Sequence, residues 1–126
     1  MFENLSVTRM AVALADHAGA RLGLIARNVA GADTPGYKAM DLSDFAATYQ
    51  DTDAGMRATR PAHLSGVATA LEAVAQPSGG EASPNGNTVS LAREMVNSVD
   101  VRQQHNMALA VYRNTADIIR ASLGRR

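Results

Sequence analysis

Apolar residues return at spacings of three and four over the first thirty positions: Val7, Ala11, Leu14, Ala18, Leu22, Ile25 and Val29. That spacing places them on one face of an amphipathic helix. A helix from Ser6 to Ala30 would be about 37 Å long at the usual rise. Gly19 and Gly23 fall inside it. Each costs about 1 kcal/mol relative to alanine in an exposed helix, but each also lets a neighbouring helix come close. The pattern stops at Gly31-Ala32-Asp33-Thr34-Pro35-Gly36. Gly31 suits the left-handed position after a helix. Pro35 holds Thr34 out of helical geometry, and Pro-Gly is the favoured centre of a type II turn, with Gly36 at positive φ.

Between Tyr37 and Asn87 the periodicity is poor. Met40–Phe45 alternates weakly and reads as a short extended piece or a helical turn, and Gly66–Ala75 as a short strand or a helix. Gln76–Asn87 is dense in Gly, Pro, Ser and Asn, which predicts a flexible connector or a hairpin tip. A second long helix follows, with Thr88 or Ser90 as its N-cap, and runs to Leu123 before Gly124. It would be about 50 Å long. Leu109, Tyr112, Ala116, Ile119 and Leu123 keep coiled-coil seam spacing, while Val96, Val99, Gln103, Met107, Ala110 and Asn114 trace a second line. A lone helical hairpin buries only one line, so the second is a first sign of self-association.

The predicted fold is therefore all-α. An N-terminal helical part (1–34) and a C-terminal one (88–126) form an antiparallel coiled-coil-like pair. Between them lies a poorly structured segment (35–87) in which a short β-hairpin can form. Hydrophobic residues make up 46% of the 126 positions but aromatic ones only 4%, a balance that suits close-packed helices more than a thick core. Twelve basic and twelve acidic residues leave no net charge, which argues against a nucleic-acid binder. The charges are uneven, however. Asp41, Asp44, Asp51 and Asp53 crowd one short stretch, and six Arg face three acids from residue 88 onward. Such ends can pair head to tail between copies, or simply be solvated.

Little chemistry is on offer. Cysteine is absent, so there is neither a disulfide framework nor a thiolate metal site. Asp51-Thr52-Asp53-Ala54-Gly55 opens like a calcium loop, but Met56 and Ala62 stand where Gly and Glu are required. His17, His63 and His105 lack a second ligand at metal spacing. No phosphate loop and no nucleophile elbow occur. No cofactor and no catalysis are expected. The N-terminus lacks a basic region followed by an apolar run, and nothing approaches a membrane span.

Asn28-Val29-Ala30-Gly31-Ala32-Asp33-Thr34-Pro35-Gly36-Tyr37-Lys38 resembles the N-terminal signature of the bacterial flagellar axial proteins, the rod and hook family. The usual wording there is Asn-φ-Ala-Asn-Ala-Asn-Thr-Pro-Gly-Tyr-Lys, with φ apolar. Gly31 and Asp33 depart from it, and both suit a helix exit. The short length is similar to that of the proximal rod members. So are Thr59-Arg60-Pro61-Ala62-His63-Leu64 and Gly86-Asn87-Thr88-Val89-Ser90-Leu91-Ala92-Arg93-Glu94-Met95, which resemble their Thr-x-Pro-x-His-Leu and Gly-Asn-x-Val-Asp-Leu-Glu-x-Glu-Met segments.

The resemblance implies a structural subunit of the basal-body rod. It implies self-association around a central export channel and contacts with other flagellar rod proteins, the rod-base/MS-ring junction protein and the flagellar export apparatus. It also implies a position spanning the periplasm, reached without a cleaved signal peptide, with no nucleic acid bound and no membrane insertion. Asn28, Ala30, Thr34, Pro35, Gly36 and Tyr37 would form the motif and its turn. Leu14, Leu22, Ile25, Val96, Val99, Leu109, Tyr112, Ile119 and Leu123 would serve subunit packing. A small helical adaptor or chaperone-like module, folding alone and binding one partner helix, is the alternative.

Overall fold

The computed structural model describes residues 2–52 and 74–124. The Thr59–Leu64 segment and most of the Gly66–Ala75 stretch lie outside the described residues. Five elements follow in order: α1 (Phe2–Ala30), β1 (Met40–Leu42), α2 (Phe45–Thr52), β2 (Ala75–Pro77) and α3 (Leu91–Ser122). The two long helices sit where the periodicity puts them, and the chain is mostly helical. The middle agrees with expectation in part, with the extended reading of Met40–Phe45 holding for Met40–Leu42. β1 and β2 pair antiparallel, with Met40 opposite Pro77 and Leu42 opposite Ala75. They are not the two arms of a tight hairpin, because α2 and a long connection separate them in the chain.

α1 and α3 pack side by side, and the core is small. Ala18, Ile25 and Val101 are buried together, with Leu22 half-buried against them. On α1 the buried apolar positions Ala11, Ala18 and Ile25 are seven apart. On α3 the buried positions Glu94, Val101, Ala108 and Thr115 are also seven apart. Alanine on both lines lets the two backbones approach closely. Two of the four α3 positions are polar, which is why apolar spacing did not mark this line. The expected seam lies beside it instead: Leu109, Ala116 and Ile119 are half-buried, while Tyr112 and Leu123 are exposed. Thr115 satisfies its hydroxyl on its own helix, donating to the Val111 carbonyl at 2.8 Å.

The helix ends show which expectations about local chemistry held. Ser90 is the N-cap of α3, in extended geometry at φ −111°, but its side chain makes no capping bond. Thr88 is not a cap; its Oγ1 accepts the Ala39 N–H at 2.9 Å. At the other end Gly124 takes φ +68° just past the C-cap Leu123. Gly31 is not left-handed. α1 leaves through successive tight turns: the Gly31 N–H reaches the Arg27 and Asn28 carbonyls, Ala32 reaches Val29, and Thr34 reaches Gly31.

Candidate assembly site

The exit of α1 is where the two sequence motifs meet. The Tyr37 N–H closes on the Thr34 carbonyl at 3.2 Å around Pro35 and Gly36. Gly36 has φ +73°, the value that the third position of the expected turn demands. A second tight loop lies against this one. Gly86, at φ +80°, closes it by donating to the Ser83 carbonyl at 2.7 Å. The two loops touch: the Gly36 N–H donates to the Asn85 carbonyl at 3.0 Å, and a Cβ on Gly86 would stand 3.5 Å from the Gly36 Cα.

Asn87 joins the loops to the helices. It is 2% exposed. Its Nδ2 lies 2.9, 2.7 and 2.9 Å from the carbonyl oxygens of Gly31, Ala32 and Thr34. Its Oδ1 accepts the Val89 N–H at 2.8 Å, on the approach to α3. One carboxamide therefore gathers three carbonyls at the exit of α1 and orients the entry to α3. The stretch expected to be a flexible connector is thus pinned along its last five residues. The expectation rested on composition, and composition does not reveal that the Asn side chain substitutes for missing backbone partners.

Three residues of α1 hold the segment that follows the turn. Asn28 is 1% exposed. Its Nδ2 donates to the Met40 carbonyl at 2.8 Å and its Oδ1 accepts the Met40 N–H at 3.0 Å. The side chain acts as a third strand at the outer edge of β1. Arg21 grips Asp41 through two bonds of 2.7 Å. His17 lies 3.0 Å from the Ser43 carbonyl through Nε2 and meets the Phe45 ring edge-on at 5.6 Å. Since a carbonyl only accepts, the His17 proton sits on Nε2. His17 Nδ1 and Glu94 Oε2 are buried without a partner among the described residues.

Burial alone would raise the Asp41 carboxyl. The Arg21 hydrogen bond and charge, with the Leu42 N–H, outweigh burial and hold it below its ordinary value. Arg21 is raised in turn, first through its hydrogen bond to Asp41. A carboxyl depressed in the folded chain contributes stability that is fully present above its unfolded value, near pH 4. That contribution disappears as pH falls through the lower, folded value. Because both side chains are partly exposed, Asp41→Asn should cost only about 1 kcal/mol at pH 7. Urea melts should find this loss at pH 7 and a smaller one at pH 3.

The remaining motif residues fall at the surface of the corner. Ala30, Thr34 and Pro35 are exposed, and Tyr37 is half-buried. A Cβ on Gly31 would lie 2.7 Å from the Tyr37 ring, so position 31 is small to admit that ring rather than to adopt an unusual φ. Among the packing candidates, Leu22 and Ile25 are used inside the chain, and Leu14 is half-buried. Val96 and Val99 point outward, 61% and 64% exposed. Gln103, Met107, Ala110 and Asn114 are exposed along with them. α3 thus turns a partly polar line toward α1 and a more apolar line toward solvent. Arg21, Asp41, Asn87 and Thr88 were missed as site residues. A lone Arg beside the apolar face of α1 was the available signal for the first pair.

Among the described residues no group of His, Asp or Glu is placed to hold a metal ion, and no helix is long and apolar enough to cross a membrane. The site is made of backbone carbonyls, carboxamides, the partly buried Arg21–Asp41 pair, the His17 ring and exposed aliphatic side chains. That combination defines a helical structural protein that holds a corner and leaves one face of α3 exposed.

No family model matches the chain. The flagellar basal body rod protein FlgB of Agrobacterium fabrum (strain C58 / ATCC 33970) is 37% identical over 94 residues, a match taking in 69% of this chain and 69% of the relative. The chain belongs to the family of that flagellar basal-body rod protein. It is a structural component of the motility apparatus, and not an enzyme.

Proposed function

We propose that the chain is a subunit of the proximal part of the rod, where copies assemble with one another and with other rod proteins around a central export channel. The observation that carries this reading is the orientation of α3. Leaving Val96, Val99 and Met107 more than half exposed forgoes burial worth about 1–2 kcal/mol for each side chain. An isolated two-helix protein has no use for such a face, whereas a subunit recovers it on assembly. The seven-residue spacing of buried positions on both helices supports an antiparallel coiled-coil-like pair as the element that stacks. The corner at Thr34–Tyr37 sets the direction in which the middle segment leaves that layer.

The resemblance to the axial family extends the reading further. The chain leaves the cell interior through the flagellar export apparatus without a cleaved signal peptide, and it stands in the periplasm. Its base meets the rod-base/MS-ring junction protein. It neither inserts in the membrane nor binds nucleic acid.

A strain lacking its own proximal rod gene should lose its filaments, and this chain should restore them. Restoration should fail with Val96→Asp plus Val99→Asp while the variant protein still accumulates. Swarming on soft agar and electron microscopy of basal bodies read the result. Full rescue by the double variant would remove the proposed role of the α3 face. A chain that sediments as the same monomer at every concentration, and binds one helical partner instead, would favour an adaptor.

A further inference from the structure

We infer that Asn85 is a modification site, which loses ammonia to become an aspartyl or isoaspartyl residue while the chain is unfolded, and that the closed corner shuts this reaction off. Asn85-Gly86 is the one Asn-Gly pair in the sequence. Asparagine is chemically labile, and most so before glycine, where no Cβ hinders the following nitrogen. The Gly86 nitrogen gives up its proton to solvent base and attacks Asn85 Cγ. A C–N bond forms, the Cγ–Nδ2 bond breaks, and ammonia leaves with the proton returned. Water then opens the five-membered imide at one carbonyl or the other. One opening gives aspartate. The other gives isoaspartate, in which the main chain runs through Cβ and Cγ. The balance is one water taken up and one ammonia released.

Asn85 is open to solvent, so burial does not protect it. Geometry does. The Gly86 N–H donates to the Ser83 carbonyl at 2.7 Å, closing a four-residue turn with Pro84 second and Asn85 third. Among the described residues only glycines have positive φ, so the turn is type I, and the third residue of such a turn has ψ of about 0°. The imide ring is nearly flat, and it needs Cβ and the Gly86 nitrogen eclipsed about the Cα–C bond. At ψ of about 0° the Gly86 nitrogen eclipses the Asn85 backbone nitrogen instead, with Cβ about 120° away.

The surrounding bonds hold that angle. The Asn85 carbonyl accepts the Gly36 N–H at 3.0 Å, and Asn85 Oδ1 accepts the Asn87 N–H at 3.0 Å. Turning ψ swings the Asn85 carbonyl and the Gly86 N–H together. Ring closure therefore breaks the bonds to Gly36 and Ser83 at once.

The two products differ in their effect on the corner. An aspartate at position 85 keeps an oxygen for the Asn87 N–H and stands in water, so the loop closes as before. An isoaspartate adds a methylene to the main chain inside the loop that Gly86 closes on Ser83, directly ahead of Asn87. It shifts Asn87 off the carbonyls of Gly31, Ala32 and Thr34. Time spent unfolded is thus recorded at a position where the damage prevents the corner from closing.

The purified chain tests this at mildly alkaline pH, with and without denaturing urea, by peptide mapping in a mass spectrometer. In urea Asn85 should convert ahead of every other asparagine, including Asn97 before Ser98. With two hydrogen bonds to open first, the native chain should convert at least about tenfold more slowly. Equal rates in the two conditions, or another asparagine leading in urea, would overturn the inference. The two products are then separated and returned to native buffer. The aspartate form, and an Asn85→Asp variant made directly, should recover the wild-type thermal melt, whereas the isoaspartate form should melt lower or without cooperativity. Wild-type melting by the isoaspartate form, or a damaged melt in Asn85→Asp, would overturn the claimed difference. None of these readouts involves assembly, so they stand or fall apart from the rod reading.

Discussion

Asn87→Asp should unfold the corner at neutral pH. The substitution keeps the shape of the side chain but puts a carboxylate against the carbonyl oxygens of Gly31, Ala32 and Thr34. Three acceptors then lose their donor, and a buried charge faces only negative ends of dipoles. Each unsatisfied buried polar group costs about 1–3 kcal/mol, so the total is of the order of 3 kcal/mol or more. The pH dependence gives the cause away. The introduced carboxyl binds its proton more tightly in the folded chain than in the unfolded one. The variant should therefore be most stable below about pH 4 and lose stability as pH rises. Chemical denaturation followed by circular dichroism at pH 3.5 and pH 7.5 measures both ends. Asn87→Ala should cost a comparable amount with no such pH dependence, and equal pH profiles for the two variants would refute the account of the hub.

The second large effect separates two valines on one helix. Val101 is 0% exposed and packs on Ala18 and Ile25, whereas Val99 lies on the outer line. Val101→Asp should abolish the helix pair, because a carboxylate placed there is buried without a partner. Thermal melts should show little cooperative structure. Val99→Asp should leave the monomer melt within about 0.5 kcal/mol of wild type, as surface changes usually do. Its defect should appear only on assembly, as lost motility and soluble chains. If both valines behave alike, in either direction, the assignment of inner and outer faces of α3 is mistaken.

How far the fold could be read in advance depends on range. The extent of α1 and α3 follows from local periodicity, and the stop between Gly31 and Gly36 follows from what proline and glycine permit. The turn closed by Tyr37 on Thr34 formed as expected, with Gly36 at positive φ. Gly31 shows the limit of the same reasoning. A glycine after a helix suggested a left-handed cap, yet its smallness serves the Tyr37 ring. Nothing within a few residues of position 31 announces that contact. The resemblance flagged Gly86 and Asn87 as part of a motif, but not that the motif closes on the other one across 50 residues of sequence. A carboxamide carries no mark of which carbonyls it will find.

The amino-acid sequence by itself therefore determined two long helices, a sharp corner after the first and an excess of apolar lines on the second. These rest on spacing and on backbone restrictions, which act within a few residues. Only the tertiary structure decided which line of α3 is buried. It placed Glu94, Val101, Ala108 and Thr115 toward α1, and left the greasier line outside. Hydrophobic burial is non-directional and ranks faces by area alone. The buried lines instead carry small residues, Ala18 on α1 and Ala108 on α3, that let the helices come close, while Asn87 ties the approach to α3 to the exit of α1.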